Sequence, residues 1–307
     1  MGAAIALLAL TIWADGGAAR VRGTSGPFAV GMRVLRLVDP TRTIQLPGGR
    51  REPRALVTYV RYPALGPPGT GDLLGAQPAR GSGPFPLVVF GHGFAVTPAL
   101  YANLLRAWVR AGYVVAAPVF PLENANAPGG PNESDIVNQP ADMRLVIARI
   151  VAADKAPGLL HDLIDVSDIA VAGHSDGSET ALYAAYDPAH LDARIRAAVL
   201  LSGARTPRGG IPFSPPSAAL LATQGTADTV NPPSITDAFF AIAPRPKFLL
   251  SLLGAEHLPP YSDEEPQLSV VERVTIAFLD AYLKHESLRN LRSAGTVPGV
   301  ATLVSRP

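Results

Sequence analysis

Short, continuous apolar runs alternate with segments of helical periodicity along the chain from residue 86 onward. An apolar run of a few residues bounded by turn residues is typical of a strand that is buried on both faces. Segments whose apolar positions recur every three or four residues are typical of helices that pack one face against a core. The strands predicted in this way lie at 86–90, 113–117, 169–172, 197–201, 219–223 and 247–253. The helices predicted in this way lie at 98–111, 140–153, 177–186, 234–242 and 266–285.

This alternation predicts parallel βαβ units in an α/β fold of three layers, with helices on both faces of a mostly parallel central sheet. Ahead of these units, residues 33–38 and 54–62 are interpreted as two further strands. A Pro-Gly-Gly segment at 47–49 lies in the connection between them. The sequence therefore predicts an antiparallel hairpin at the N-terminal side of the sheet.

Two long connections predict loops: residues 63–85 are rich in glycine and proline, and residues 118–134 are rich in proline, glycine and asparagine. We find no internal repeat and no linker that would divide the chain. We therefore expect a single α/β domain over residues 26–307, preceded by a signal, anchor or tail over residues 1–25.

The composition narrows the function classes. The chain has 307 residues, a net charge of +1 and no block of five or more like charges, which argues against a nucleic-acid partner. It contains no cysteine, so disulfides, thiolate metal sites and thiol nucleophiles are excluded. The 29 glycines and 31 prolines exceed the ordinary share but stay below the level that signals disorder.

Residues 3–14 form an apolar run at the N-terminus. A membrane-spanning helix needs about 20 such residues, so we expect no stable membrane insertion. The length suits the apolar region of a secretory signal, and the small residues at 17–19 suit cleavage, although the usual basic leader is missing. We expect a secreted or extracytoplasmic protein. The alternatives are a loosely packed tail and a membrane-anchored interaction protein.

The strongest chemical signal is a G-x-S-x-G motif, formed by Gly173, His174, Ser175, Asp176 and Gly177. A predicted strand precedes the motif and a predicted helix follows it. In this context the serine sits on a sharp turn that lifts its hydroxyl above the sheet, and the flanking glycines keep the turn free of side chains. The motif predicts a serine nucleophile.

A serine hydroxyl needs a base to take its proton, and on this scaffold the acid and the histidine follow the serine in that order. Asp228 follows the predicted strand at 219–223, and His257 follows the strand at 247–253. The carboxyl ends of parallel strands meet at one edge of the sheet, where catalytic groups collect. We therefore predict that Ser175, Asp228 and His257 form a catalytic triad.

Other residues could in principle take these roles. Asp237 and Asp263 are alternative acids. The histidines His161, His190 and His285 lie in loop-like segments or at a helix end, where a solvated surface role is the simpler interpretation.

The tetrahedral intermediate of acyl transfer needs two N–H donors for its oxyanion. The backbone N–H of Asp176, directly after the nucleophile, is one candidate. The other is the backbone N–H of Phe94, in the loop that follows the strand ending near Gly91. His92, in the same loop, has no second ligand spaced near it, so a packing role is favoured over metal binding. We expect no metal and no cofactor.

These residues resemble the α/β-hydrolase fold, and most closely its chlorophyllase, dienelactone-hydrolase-like and platelet-activating-factor acetylhydrolase branch, which neighbours bacterial cutinases and polyester hydrolases. The resemblance implies the same roles for Ser175, Asp228, His257, Phe94 and Asp176. It covers roughly residues 28–285. The segments that carry it are 28–31, 87–121, 173–177, 225–230 and 254–257.

The chain also departs from these relatives. Asp176 stands where polyester hydrolases usually have methionine, and their C-terminal disulfide is missing. Dienelactone hydrolases in the narrow sense use a cysteine nucleophile, which this chain lacks. We place Phe94 and His174 in the substrate-binding site, although the turn should direct the His174 side chain away from the nucleophile.

Only about seventeen residues separate the strands at 197–201 and 219–223, too few for a helical cap domain. We therefore expect an open cleft covered by the loops at 118–134 and 203–217. The function predicted is a monomeric serine carboxylic ester hydrolase of cutinase-like type. It would act through an acyl-enzyme on short- to medium-chain esters, with polymeric esters as a further class. The alternatives are an amidase or peptidase on the same triad and a non-catalytic binding protein that retains the fold.

Overall fold

In the part of the chain that the structure describes, ten strands form one mixed sheet. The computed structural model describes residues 27–203, 213 and 217–307. The strands are β1 (Ala29–Gln45), β2 (Arg51–Ala64), β3 (Leu73–Leu74), β4 (Phe85–Gly91), β5 (Val114–Val119), β6 (Ile164–His174), β7 (Ile195–Leu201), β8 (Ala219–Gly225), β9 (Lys247–Leu252) and β10 (Ala301–Arg306). The helices are α1 (Ala102–Arg110), α2 (Gln139–Lys155), α3 (Asp176–Tyr186), α4 (Pro233–Ile242), α5 (Gln267–Leu283) and α6 (Arg289–Ala294).

The order of the strands across the sheet is β10-β9-β8-β7-β6-β4-β5-β2-β1-β3. All pairs from β5 through β4 to β9 are parallel, which confirms the predicted parallel centre. The strands β1 and β2 pair antiparallel around a 3-10 turn at Pro47–Gly49, so the predicted N-terminal hairpin is also confirmed. Because the central strands are parallel, the residues that follow β4, β6, β8 and β9 collect at one edge of the sheet.

The central strands bury side chains on both faces, which explains their continuous apolar sequences. In β4, Leu87 and Val89 point into a core shared with α2 and α3. Their neighbours Val88 and Phe90 point into a second core shared with α1 and α5. The period of two along the strand therefore divides one apolar run between two cores, giving the three predicted layers.

A cluster of buried ion pairs connects α2 to the sheet. Arg54, on β2, bonds Asp135 at 2.7 Å and Asp142 at 2.6 Å, and all three side chains are buried. Asp135 belongs to a 3-10 segment at Glu133–Asn138, and Asp142 lies in the first turn of α2. The cluster thus fixes the end of the long connection that follows β5.

The structure adds elements that the sequence pattern did not predict. The helix α6 and the edge strand β10 follow the last predicted helix, and β10 pairs antiparallel with β9. The two-residue strand β3 lies within the predicted loop at 63–85. These elements sit at sheet edges or are short, so they lack the continuous apolar signal of the central strands.

Part of what the sequence predicted lies outside the described residues. This holds for the N-terminal segment at 1–25 and for most of the loop at 203–217. In the connection from β7 to β8, residues 202, 203, 213, 217 and 218 are described, and none of them is helical. None of the described helices combines the length and the hydropathy needed to cross a bilayer.

Candidate active site

Ser175 occupies a strained turn between β6 and α3. Its φ of 54° and ψ of −120° lie outside the regions that L residues usually adopt. The turn is held by its own hydrogen bonds, since the N–H of Ser175 donates to Leu201 O at 3.0 Å and the Ser178 hydroxyl donates to Gly173 O at 2.7 Å. A strained residue that its surroundings hold in place is a frequent feature of reactive sites.

The two glycines of the motif are required by close backbone approach. A Cβ atom on Gly173 would overlap the carbonyl oxygen of Gly177, and a Cβ on Gly177 would overlap the carbonyl oxygen of Gly91. The nucleophile turn therefore packs directly on the end of β4, which carries the candidate oxyanion loop. The expectation that both positions must be small is confirmed by this geometry.

The structure brings Asp228 and His257 together. Asp228 lies after β8 with 3% of its surface exposed, and its Oδ2 atom lies 2.8 Å from His257 Nδ1. A carboxylate can only accept, so His257 must donate its Nδ1–H, which leaves Nε2 as the nitrogen able to accept a proton. This is the tautomer that a general base requires.

Other donors hold the Asp228 carboxylate in place. Its Oδ2 atom accepts from the Ser202 hydroxyl at 2.5 Å and from Gln224 Nε2 at 3.1 Å. Its Oδ1 atom accepts from the backbone N–H groups of Val230 at 2.9 Å and Asn231 at 2.8 Å. Burial opposes ionisation, but these bonds and His257 hold the pKa of the Asp228 carboxyl below its usual range.

The sequence interpretation did not identify Ser202, Gln224 and Asn231 as supporting residues. Ser202 follows β7 and Gln224 lies near the end of β8, so both stand at the edge of the sheet where reactive groups collect. Their position near the ends of the strands could therefore be predicted from the strand pattern. Their hydrogen bonds to Asp228 could not, because these depend on side-chain distances between neighbouring strands.

The alternative acids and histidines lie elsewhere. Asp237 and Asp263 are exposed, in contrast to Asp228. His190 Nδ1 bonds Asp187 at 2.7 Å, and His161 Nδ1 bonds Asp154 O at 3.0 Å. The side chain of His285 is largely exposed.

His174 has a different place from the one expected. It is 2% exposed, and both of its ring nitrogens are already bonded. The Nε2–H donates to His257 O at 2.9 Å, and Nδ1 accepts from the Tyr101 hydroxyl at 2.8 Å. Burial first, and then the nearby charge of His257, lower the pKa of His174 to about 3. The expected substrate contact is therefore revised to a structural role, in which neutral His174 joins the nucleophile turn to the His257 loop.

His92 is a second buried histidine that is hydrogen-bonded to the loops around the site. Its Nε2 accepts from the N–H of Phe120 at 3.0 Å, so its Nδ1–H donates to Gly93 O at 2.8 Å. Burial lowers the pKa of His92 to about 4 and keeps the ring neutral. Among the described residues, no group of three His, Asp or Glu side chains is arranged to hold a metal ion.

The two predicted oxyanion donors lie on the elements that frame Ser175. Asp176 is the first residue of α3, and the N–H of a first helical residue has no acceptor within its helix. Phe94 follows β4 and leaves 41% of its surface exposed, so its ring is accessible to a bound molecule. The N–H of the next residue, Ala95, donates to Glu123 O at 2.9 Å, which fixes this loop against the connection after β5.

A separate cavity of about 230 Å³ lies between the N-terminal turns of α2 and α3. None of the three triad candidates lines it, so we do not assign it to the reaction. Its lining residues are Ile136, Val137, Pro140, Glu179, Thr180, Tyr183 and His190.

Comparison with known proteins agrees with this architecture. The chlorophyllase family model matches residues 61–202. A ferulic acid esterase from Streptomyces cinnamoneus shares the fold at a TM-score of 0.63 and 21% identity, over 86% of this chain and 93% of the esterase. No curated protein sequence matches the chain significantly. The chain therefore has the α/β-hydrolase fold and is similar to the chlorophyllase family, which supports its assignment as a hydrolase of the esterase type.

Proposed function

We propose that this protein is a serine carboxylic ester hydrolase that acts through an acyl-enzyme. The observation that carries the proposal is the joint arrangement of a strained Ser175 and an oriented Asp228–His257 pair at one edge of the sheet. A strained serine turn or a hydrogen-bonded Asp–His pair alone would not indicate this reaction. Together they supply the nucleophile, the base and the group that orients the base.

The reaction begins when Ser175 Oγ attacks the ester carbonyl carbon while His257 Nε2 takes the hydroxyl proton. The oxyanion accepts hydrogen bonds from the N–H groups of Phe94 and Asp176. Collapse of this intermediate breaks the bond to the alcohol oxygen, which receives the proton from His257. Water then attacks the acyl-enzyme with His257 again as base, and the acid leaves as Ser175 regains its proton. Asp228 stays ionised throughout.

The substrates proposed are short- to medium-chain esters, with polymeric esters as a further class. The seventeen-residue connection between β7 and β8 is too short for a cap domain, which supports an open cleft. Phe94 follows Gly93, whose backbone packs against Ser175, so its exposed ring offers an apolar contact near the nucleophile. Because a similar structure is a ferulic acid esterase, ethyl ferulate belongs in the substrate panel.

The test compares Ser175→Ala with Ser82→Ala, which changes an exposed serine far along the chain from the motif. Both variants are assayed on p-nitrophenyl acetate and butyrate, ethyl ferulate, an anilide and a polyester film. We expect Ser175→Ala to lose at least roughly 10³-fold in kcat and to resist a fluorophosphonate probe, and Ser82→Ala to match the wild type. Undiminished ester turnover in Ser175→Ala would refute the proposal. A preference for the anilide would instead indicate an amidase.

We further propose that residues 26–307 act as one secreted, monomeric domain. The proposal of export rests on the apolar run at 3–14. N-terminal sequencing of the protein from culture medium tests the export, and size-exclusion chromatography with light scattering tests the monomer. Retention of the run in a cell-associated product would contradict export.

A further inference from the structure

We propose that Glu123 is a positioning residue for both candidate oxyanion donors, and that it acts in its protonated form by donating a hydrogen bond to the Asp176 carboxylate. This inference rests on the proposed ester hydrolase function. It assigns a role to a buried acid that the reaction scheme itself does not use.

Glu123 lies in the connection after β5 and has no exposed surface. Its backbone carbonyl accepts from the N–H of Ala95 at 2.9 Å, directly next to Phe94 in the chain. Its side chain reaches Asp176, the first residue of α3. One residue thus contacts the loop of one candidate donor through its backbone and the residue of the other through its side chain.

The contact between the two carboxyl groups requires a proton. Both Glu123 oxygens and Asp176 Oδ2 are buried, and none of them has a hydrogen-bond donor when both groups are ionised. An ionised carboxylate only accepts, whereas a protonated one donates a single O–H. Retention of one proton turns an unpaired, repulsive contact into a short, charge-assisted hydrogen bond.

The surroundings favour that proton. The groups that act on Glu123 are the carboxylates of Asp176, Asp135 and Glu133, and Asp135 is itself paired with a buried arginine. Asp176 is also faced by Glu179 and by the Tyr101 hydroxyl. Burial first, and then the hydrogen bond and charge of Asp176, raise the pKa of Glu123 to about 10.

The proton has a consequence for catalysis. While it is present, the Asp176 side chain is anchored and its backbone N–H keeps a fixed direction at the start of α3. When the proton is lost at alkaline pH, two adjacent carboxylates repel each other and the anchor is released. Because an oxyanion donor acts on the transition state, the loss should appear in kcat with little change in KM.

The test uses Glu123→Gln and Glu123→Leu in the full chain, with Glu179→Gln as the control for the other acid that faces Asp176. Glutamine keeps a donor toward Asp176 but cannot ionise. We expect the wild-type kcat to decline near pH 10. We expect Glu123→Gln to retain at least about a third of the wild-type kcat at pH 7.5 and to show no such decline. We expect Glu123→Leu to lose about tenfold or more in kcat, with KM within about threefold. Glu179→Gln should keep the decline near pH 10.

Two results would overturn the proposal. One is an alkaline decline in Glu123→Gln identical to that of the wild type. The other is a Glu123→Leu enzyme that is folded by circular dichroism and as active as the wild type.

A spectroscopic readout separates this proposal from the proposed function. Infrared difference spectra of wild type against Glu123→Gln at pH 9 should show one protonated carboxyl band that only the wild type has. An active wild type without that band would overturn the role of Glu123 alone. A wild type with neither ester turnover nor fluorophosphonate labelling would overturn both proposals.

Discussion

Replacement of Asp228 by asparagine tests the proposed base most directly. The change is nearly isosteric, so it alters hydrogen bonding at one buried position without opening a cavity. An amide offers one acceptor and one donor group, whereas the carboxylate accepts at both oxygens. The native site supplies donors to both positions, so the new NH₂ group must face at least one of them.

The position of each donor decides the orientation of the amide. At Oδ1 the donors are the backbone N–H groups of Val230 and Asn231, which cannot reverse. The amide oxygen therefore takes this position, and the NH₂ group faces His257 Nδ1 at the site of Oδ2. Nδ1 must then accept, which leaves the proton on Nε2, where it prevents His257 from acting as a base.

The expected loss follows from this tautomer. A histidine held in the wrong tautomer costs about 10⁴-fold in kcat, or about 5 kcal/mol of transition-state stabilisation. KM should change little, because Asp228 is buried and we expect it to make no contact with the substrate. Circular dichroism should remain that of the wild type.

The assay is steady-state hydrolysis of p-nitrophenyl butyrate at pH 7.5. Asp237→Asn is the matched control, since it makes the same change at an exposed aspartate on α4, and it should stay within about twofold of the wild type. A loss below tenfold in Asp228→Asn, or an equal loss in Asp237→Asn, would refute the assignment of Asp228 as the group that orients His257.

Three further predictions concern stability and are checked by urea unfolding. Gly173→Ala should lower the free energy of unfolding by roughly 3 kcal/mol or more, because the new Cβ overlaps the backbone of Gly177. Gly81→Ala, with open space around it, should change the free energy of unfolding by less than about 0.5 kcal/mol. Equal effects of the two substitutions would contradict the packing argument. Arg54→Met should cost about 3–5 kcal/mol, because it removes the ion pair of buried Asp135 and leaves buried Asp142 paired with Arg42 alone. Arg50→Met, in an exposed pair, should cost under about 1 kcal/mol. Burial first, and then nearby carboxylates, raise the pKa of Glu179 from 4.5 to about 8. Between these two pH values the folded protein binds a proton that the unfolded chain has lost, so the free energy of unfolding falls as the pH rises from 4.5 to about 8. Glu179→Gln should therefore gain stability over the wild type by up to about 1.4 kcal/mol per pH unit between pH 5 and 8, and a constant difference would refute the shift.

Local signals predicted the central part of the fold well. The buried strands were recognisable because a strand covered on both faces must be apolar at every position, as in β4 and β5. The edge strand β10 was missed, since one of its faces meets solvent and its sequence, Ala-Thr-Leu-Val-Ser-Arg, shows neither a continuous apolar run nor a strict alternation. The strand β3 was missed because it has only two residues and both are exposed.

The candidate site likewise has residues that local sequence signals predicted and one whose surroundings they did not predict. Ser175 was predicted as the nucleophile from a local motif, because a strained turn of this kind limits which residues can flank it. Asp228 and His257 were predicted as its partners from their position after parallel strands, and the structure places their side chains 2.8 Å apart. The interpretation of His174 as a substrate contact is revised, because adjacency to the nucleophile in sequence does not show that its buried ring is hydrogen-bonded to Tyr101 and to the backbone of His257.

The sequence by itself therefore determined the order of the elements, the parallel sheet, the nucleophile turn and the residues that follow each strand. These depend on local sterics and on the burial period, which a single segment records. Only the tertiary structure decided which donors hold Asp228, which nitrogen of His257 is free and why Glu123 must keep a proton. Those properties depend on distances between residues far apart in the chain, and such distances exist only once the sheet and its loops have packed.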